Sequence, residues 1–183
     1  MQKKLKTPLS EETIKELRSG DMVEITGYIY TLRDTAHKRL VELIIDNKPL
    51  PFELKGAVIY YVGPTPSPPE KIIGSAGPTT ASRMDPYTPL FLQGGLKGMI
   101  GKGERSQEVK DALIKYRGVY FAATGGAGAF LSRYITSSEI IAYEELKAEA
   151  VRLLYVEDFP AIVANDIYGG DLFEEGKKRY KRA

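Results

Sequence analysis

Three short segments of this sequence combine a cation with residues that begin a helix or a tight turn, a pattern typical of anion binding. In Gly77-Pro-Thr-Thr-Ala-Ser-Arg-Met-Asp85, Thr79 or Thr80 is a suitable N-cap for a following helix, and Arg83 lies one helical turn after Thr79. The N–H groups at a helix N-terminus can bind an anion together with the two hydroxyls, and the guanidinium can hold a carboxylate through two parallel hydrogen bonds. The segment therefore predicts a carboxylate site, although a capped surface helix with an exposed arginine has the same pattern.

The two other segments lie at junctions between elements. In Thr31-Leu-Arg-Asp-Thr-Ala-His37, Arg33 and Asp34 lie where a strand ends and a helix begins, which is where α/β proteins bind ligands. In Gly101-Lys-Gly103, two glycines after an apolar strand let the backbone approach a ligand while Lys102 points into a cleft, although an ordinary turn has the same composition. His37 lies one helical turn after Arg33 and is interpreted as a helix-surface or core histidine, not as a catalytic group.

The composition restricts the chemistry that this chain can perform by itself. It contains no cysteine and one histidine, which excludes disulfides, a thiolate nucleophile and a cysteine-bound zinc or iron–sulfur cluster, and argues against a histidine-rich metal site. A Ser-His-Asp triad would need His37 as its base, and no Gly-x-Ser-x-Gly motif accompanies it. The remaining candidates for chemistry are Arg, Lys, Thr, Tyr and carboxylate side chains, or groups that a partner supplies.

The charge is unevenly distributed along the chain. Of the 26 basic residues, eight lie at the ends, and the other 18 face 24 acidic residues, which gives residues 7–176 a charge of −6. A basic stripe for nucleic acid is therefore absent from this part of the sequence. Three cations at element junctions in an otherwise acidic body predict a site for a small dianion.

The elements that position these residues follow from hydrophobic periodicity and capping signals. Ser10 is predicted to cap a first helix, and Ser106 to cap a helix that runs to about residue 116. The continuous apolar run at 57–62 is typical of a strand that is buried on both faces. The other predicted strands are 22–30 with a bulge at Gly27, 96–100, 119–123, 151–156 and 161–166. The other predicted helices begin near residues 34 and 170, and the small-residue segment 125–131 is predicted to open a short helix.

This alternation of strands and helices predicts an α/β layered domain, and the strand at 22–30 indicates a second, antiparallel layer. At roughly 150 residues per domain, the 183 residues predict a single domain over 1–183, with basic, frayed ends at about 1–6 and 177–183. No apolar run approaches the ~20 residues of a membrane span, and no signal-peptide pattern follows Met1, so we expect a cytoplasmic protein. The low content of Asn, Gln and Cys favours a heat-adapted source.

Taken in order, the motifs Thr-x-Arg-Asp-x-Ala-His, Gly-Pro-Thr-Thr-x-x-Arg-Met-Asp and Gly-Lys-Gly resemble the C-terminal half of class I (iron–sulfur) fumarate hydratases. In two-chain members that half is a separate beta subunit, and L-tartrate dehydratase beta subunits are similar. The resemblance extends over about residues 9–173, with further matches in Tyr61-Val-Gly-Pro-Thr-Pro66 and Glu157-Asp-Phe-Pro-Ala161. Two positions depart from the family pattern: Gly170 stands where asparagine is expected, and Ser82 where glycine is more frequent.

The resemblance implies a swivelling β/β/α domain that acts in the reversible hydration of fumarate to L-malate. It implies that Arg33, Arg83 and Lys102 bind the substrate carboxylates and that Thr79 is the catalytic, proton-abstracting residue. It also implies a hetero-oligomer in which an alpha subunit holds a 4Fe–4S cluster on three cysteines, so that this chain contributes no metal ligand.

Several alternatives stay open at this level. The substrate could be fumarate, tartrate or a methylated C4 acid, because pocket details distinguish one hydroxyl or methyl group from another. Thr79 could act as a base or as a helix cap, and the roles of His37 and of the basic C-terminal tail are not assigned. A non-catalytic anion-binding or assembly module of the same fold is the alternative from a different functional class.

Overall fold

The computed structural model describes residues 2–181, which form one mixed α/β unit. The strands are β1 (Lys3–Lys6), β2 (Met22–Thr31), β3 (Val58–Tyr60), β4 (Gly98–Gly101), β5 (Val119–Ala122), β6 (Ile135–Ala142) and β7 (Val151–Asn165). The α-helices are α1 (Glu11–Lys15), α2 (Asp34–Ile45), α3 (Thr88–Gln93), α4 (Gln107–Tyr116), α5 (Gly128–Leu131) and α6 (Leu172–Tyr180). Shorter 3₁₀ segments cover Ala81–Met84, Ser132–Tyr134 and Glu144–Glu149.

The strands form a sheet that closes on itself. Their order is β1-β2-β3-β4-β5-β7-β6, and β2 also pairs with β7, so that β2, β3, β4, β5 and β7 form a closed, five-stranded barrel. Neighbours from β1 to β5 are parallel, whereas β7 runs antiparallel to β2, β5 and β6. The predicted α/β class is confirmed. The structure has a barrel in place of the predicted stack of separate layers. The barrel closes because the long strand β7 pairs with β2 at one edge of the parallel strands and with β5 at the other.

Alternate residues of the parallel strands separate two cores. In β3, Val58 and Tyr60 belong to a cluster to which all five barrel strands contribute, while Ile59 packs with the helices α2, α3 and α4 outside the barrel. This arrangement confirms the prediction that the run at 57–62 is buried on both faces. The parallel strands β2 to β5 are therefore held between the core inside the barrel and the core under the helices.

Local signals placed most helices correctly. The Ser10 and Ser106 hydroxyls accept hydrogen bonds from Thr13 N and Val109 N, which confirms both as N-caps. The pairing register of β2 with β7 shifts between Ile25 and Gly27, where a bulge was predicted. The extra residue lies on β7, not on β2, because the three-residue step from Val156 to Phe159 faces the two-residue step from Gly27 to Ile25.

Several elements differ from the expectation, among them helix α3, which was not predicted. The two strands predicted within 151–166 are the single strand β7. The break between them is a bulge of β7, at which Asp158 has a positive φ and donates its N–H to Thr26 Oγ1, so the pairing with β2 continues on both sides of it. Strand β6 was not predicted, since its first half is polar and exposed. The predicted frayed ends contain structure: β1 buries Leu5 against β2, and α6 extends to Tyr180, while residues 1, 182 and 183 lie outside the described residues.

Among the described helices, none has the length and apolar character needed to cross a membrane.

Candidate functional site

The segments singled out in the sequence meet at one edge of the barrel. Parallel strands place their carboxyl ends together, and Arg33 lies two residues after β2 while Lys102 directly follows β4. Backbone hydrogen bonds continue the pairing beyond the strand ends: Leu32 N donates to Tyr60 O at 3.1 Å, and Tyr61 N donates to Ile100 O at 2.8 Å. The segments that follow β2, β3 and β4 are therefore held side by side.

Two of the predicted cations share one carboxylate. Arg83 Nε donates to Asp34 Oδ1 at 2.9 Å, and Arg33 Nη2 lies 3.8 Å from Asp34 Oδ2. Arg33 is 23% exposed and Arg83 is 48% exposed, so both guanidiniums are open to a ligand. The structure thus brings together residues from two motifs that lie about fifty positions apart in the sequence.

Arg33 is fixed from two further directions. Glu149, at the end of the 3₁₀ segment Glu144–Glu149, approaches Arg33 Nη2 to 3.5 Å through Oε1 and accepts a hydrogen bond from Thr35 N at 3.0 Å through Oε2. This contact caps helix α2 in place of its own N-cap residue, Arg33, whose side chain makes no capping bond. On the other side, a Cβ added to Gly63 would lie 2.7 Å from Arg33 Nη1, so the guanidinium packs directly against this glycine.

Thr79 and Lys102 form the second part of the site. Thr79 N donates to Tyr61 O at 2.8 Å, and Lys102 N donates to Thr79 O at 3.2 Å, so the two residues lie on adjacent chain segments. The Lys102 side chain passes Gly125, at which an added Cβ would lie 3.3 Å from Lys102 Cδ. Among the described residues, no carboxylate forms an ion pair with Lys102, which leaves its ammonium available to an anion.

The geometry around Thr79 differs from a helix cap. The predicted helix is the four-residue 3₁₀ segment Ala81–Met84, because Pro86 has no N–H for the carbonyl of Ser82 and Asp85 N binds that carbonyl instead. Thr80, not Thr79, occupies the N-cap position, and its side chain makes no capping bond. Within residues 2–181 the Thr79 hydroxyl has no hydrogen-bond partner, so capping does not explain this residue.

A buried ion pair between Arg105 and Asp85 links the segments that carry the site residues. Arg105 Nε donates to Asp85 Oδ1 at 2.7 Å and Arg105 Nη2 donates to Thr88 Oγ1 at 2.7 Å, while Asp85 Oδ2 accepts from Ser106 N at 2.7 Å. The Arg105 side chain is fully buried between the rings of Tyr61 and Tyr120.

The contacts of Arg105 raise its pKa above the usual value. Burial by itself would lower the pKa of Arg105, but the two tyrosines and Asp85 outweigh that effect and raise it. The pair joins the segment that carries Thr79 and Arg83 to the segment that carries Lys102. The sequence reasoning missed it, and no local signal marked Arg105, because it stands in the polar, glycine-containing run 101–108.

His37 is a core histidine, in agreement with the sequence interpretation. It is 1% exposed and packs against Tyr61, Tyr87 and Phe91, and its Nδ1 donates to Arg33 O at 2.9 Å. Burial lowers the pKa of His37 to about 4, so it is neutral at physiological pH. It supports the backbone of Arg33 from the helix side.

The donor set does not fit an iron–sulfur cluster. Such clusters need cysteine thiolates, and the chain has none. Within the described part of the chain, no group of three or more His, Cys, Asp or Glu side chains could hold a metal ion. The site is therefore built from cations, a hydroxyl and backbone groups.

Fold and site together define a mixed α/β domain that presents fixed cations and a hydroxyl at the carboxyl ends of parallel strands. The family model described as Fumarase C-terminus matches residues 1–176, and the chain belongs to this family. Its homologues are class I fumarate hydratases and a tartrate dehydratase beta subunit, so the family resemblance drawn from the motifs is confirmed.

Three relatives illustrate the similarity. The chain is 44% identical over 155 residues to the anaerobic class I fumarate hydratase of Escherichia coli, covering 84% of this chain and 28% of the relative. It is 42% identical over 169 residues to the mitochondrial fumarate hydratase 1 of Leishmania major, covering 90% of this chain and 31% of the relative. It is 35% identical over 181 residues to a Methanocaldococcus jannaschii protein provisionally named L(+)-tartrate dehydratase subunit beta, covering 95% and 93%. The chain thus spans about three-tenths of the length of these fumarate hydratases and nearly all of the named beta subunit.

Proposed function

We propose that this chain is the beta subunit of a two-chain hydro-lyase that reversibly hydrates fumarate to L-malate. The observation that carries the proposal is the meeting of Arg33, Arg83, Thr79 and Lys102 at one edge of the barrel. Membership of the Fumarase C-terminus family, whose relatives are named hydratases and dehydratases, supports this assignment. The single-domain organisation over residues 1–183 and a cytoplasmic location are part of the same proposal.

The proposed role of the cations is to hold a C4 dicarboxylate by its ends. Arg83 offers a planar pair of N–H groups to one carboxylate, and Arg33 and Lys102 add positive charge at the same edge of the barrel. Fixing both ends of a rigid diacid leaves its two central carbons in one orientation, which lowers the barrier of the chemical step by proximity.

The proposed role of Thr79 is proton transfer. In the dehydration direction its Oγ1, in the deprotonated form, takes the proton from the methylene carbon next to a carboxylate and becomes the neutral hydroxyl. In the hydration direction the hydroxyl returns that proton to the carbon and becomes the deprotonated form again. A threonine hydroxyl is a weak base by itself and needs a preorganised environment for this task. The absence of a hydrogen-bond partner for Thr79 Oγ1 among the described residues supports this assignment, because the hydroxyl is available to substrate.

We assign the iron–sulfur cluster to a partner alpha subunit. The lack of cysteine in this chain and the name "subunit beta" of one relative support a division of the enzyme into two chains. In this arrangement the barrel would swivel against its partner, and the two chains would form a hetero-oligomer around one active site.

A second candidate is the beta subunit of L-tartrate dehydratase. It is favoured by the relative of that name, since the match covers 93% of it and 95% of this chain. Both reactions remove water from a C4 dicarboxylate, so the same residues would serve in either one. The difference lies in whether the pocket accepts a second hydroxyl group.

The test is anaerobic co-expression of the chain with a cysteine-bearing neighbour from the same genome, followed by assays with fumarate, L-malate, tartrate and methylated C4 acids. We expect the chain alone to be folded, colourless and inactive, and the complex to contain iron and to hydrate fumarate. Robust hydration by the iron-free single chain would overturn the two-chain proposal. Failure of any such partner to bind would favour the assembly-module alternative.

Substitution of Arg83 tests the site within that complex. Arg83→Lys keeps the charge but loses the planar fork, so we expect kcat/KM to fall tenfold to several hundredfold, on the order of 1.5–3 kcal/mol. Arg117→Lys is the matched control, because Arg117 precedes β5 at the opposite edge of the barrel and is half exposed. Equal kinetics in the two variants would contradict the assignment of Arg83.

A further inference from the structure

Asp34 has an arrangement that the proposed substrate contacts do not explain. Its Oδ1 accepts a hydrogen bond from Arg83 Nε at 2.9 Å, whereas its Oδ2 is buried and has no hydrogen-bond partner among residues 2–181. Arg33 Nη2 lies 3.8 Å from Oδ2, beyond hydrogen-bond distance. A single aspartate therefore contacts both guanidiniums of the candidate site but forms a hydrogen bond with only one of them.

The atom of Arg83 that Asp34 binds determines what the rest of the guanidinium can do. A guanidinium has five N–H donors, and the bond to Asp34 uses the one on Nε. The four donors on Nη1 and Nη2 remain, and they form a planar fork that matches a carboxylate. Because Arg83 is 48% exposed, this fork is open to solvent and to a ligand.

Arg83 has little other support in this position. It lies on the four-residue 3₁₀ segment Ala81–Met84 and is exposed, so packing does not restrict its long side chain. Asp34, in contrast, is fixed as the first residue of the 12-residue helix α2, whose N-terminal turn Glu149 holds through Thr35 N. The rigid element thus positions the flexible one through a single charge-assisted hydrogen bond.

We propose that Asp34 is a positioning residue for substrate binding, which holds Arg83 by Nε so that Nη1 and Nη2 face the substrate carboxylate. This inference rests on the proposed function, because it assumes that Arg83 binds a substrate carboxylate. The bound carboxylate then approaches end-on, through the two Nη atoms, since the side of the guanidinium that includes Nε is occupied. Asp34 itself does not touch the substrate.

The test uses Asp34→Asn and Asp34→Ser in the complete two-chain enzyme. Asn keeps an oxygen acceptor for Arg83 Nε, whereas Ser is too short to reach it but suits the first turn of a helix and so preserves the fold. We expect Asp34→Ser to raise KM for fumarate about ten- to hundredfold with a kcat change of less than about threefold, and Asp34→Asn to recover most of this loss. The control is Asp46→Ser, at the other end of α2, where Lys48, itself exposed, is the one ion-pair partner of the carboxylate within residues 2–181.

A double-mutant cycle separates positioning from a general effect on the helix. In the Arg83→Lys background the guanidinium that Asp34 positions is gone, so Asp34→Ser should add less than about threefold to KM. If Asp34 only stabilised the helix, the effects of Asp34→Ser and Arg83→Lys on KM would multiply, and Asp34→Ser would lower the melting temperature.

The outcomes distinguish this inference from the proposed function. An active wild-type complex in which Asp34→Ser leaves KM unchanged, or in which the two substitutions multiply, overturns the positioning role alone. A wild-type complex that hydrates no C4 diacid overturns the proposed function and this inference with it. A selective rise of KM that Asp34→Asn reverses supports the positioning role.

Discussion

Replacement of Gly63 by alanine is expected to disturb Arg33 without damaging the fold. The added Cβ would lie 2.7 Å from Arg33 Nη1, 2.9 Å from Arg33 Cδ and 3.2 Å from Ala148 O. Since relaxed contacts between such atoms are roughly 3.5 Å or longer, the guanidinium must move by about 0.8 Å. The φ angle of Gly63 is not in the left-handed region, so alanine adds no backbone strain there.

The kinetic effect should exceed the effect on stability. A displacement of about 1 Å in a substrate-positioning group costs up to ~100-fold, so we expect kcat/KM for fumarate to fall about ten- to hundredfold in the two-chain enzyme. The free energy of unfolding should change by less than about 1 kcal/mol, because alanine reduces the entropy of the unfolded chain while the moved side chain gives way.

Steady-state kinetics and urea unfolding on the same preparation measure both quantities. Gly176→Ala is the matched control, since nothing lies within 4 Å of its added Cβ in helix α6. Wild-type kcat/KM in Gly63→Ala would refute the close packing of Arg33 against this glycine. A loss of stability above about 3 kcal/mol would refute the claim that only the guanidinium moves.

Three further predictions concern residues around the site. Because burial lowers the pKa of His37 from 6.5 to about 4, stability is complete above pH 6.5 and falls by up to about 3 kcal/mol as the pH drops towards 4. The urea midpoint of unfolding, measured from pH 7 to pH 4, should show this loss of stability in the wild type and not in His37→Gln. Parallel pH curves for the two proteins would contradict the prediction. Arg105→Met leaves Asp85 buried without its cation and should cost about 3–5 kcal/mol by urea unfolding, partly recovered when Asp85→Asn is added; a cost below about 1 kcal/mol would be inconsistent with the buried pair. Thr79→Val should reduce kcat strongly while fumarate still binds and the melting temperature stays near the wild-type value, whereas near-normal kcat with a lower melting temperature would assign Thr79 a structural role.

Local signals in the sequence were sufficient for many elements. The caps Ser10 and Ser106 act on N–H groups three residues away, and the apolar run at 57–62 reports burial directly. The fold class and the irregular pairing at Gly27 follow from the same short-range information, whereas only the structure decided between a helix-surface and a core position for His37. The motifs around Arg33, Arg83 and Lys102 also identified the family, which the comparison with known proteins confirms.

Long-range pairing was beyond the sequence reasoning. The first half of β6 is polar and exposed, so its hydrophobic pattern does not indicate a strand. β7 contains Asp158 and Pro160, which interrupt the pattern typical of one continuous strand. Barrel closure depends on β7 pairing with β2 and β5 at once, which is a property of register and length, not of composition.

The sequence alone determined which chemistry this chain can contribute: with no cysteine and one histidine it offers cations, hydroxyls and carboxylates, whatever its fold. The tertiary structure alone decided how those groups are arranged. Asp34 meets Arg83, and Asp85 meets Arg105, across separations of 49 and 20 residues. Such contacts depend on the parallel strands that place distant segments at one edge, and short-range propensities carry no information about that placement.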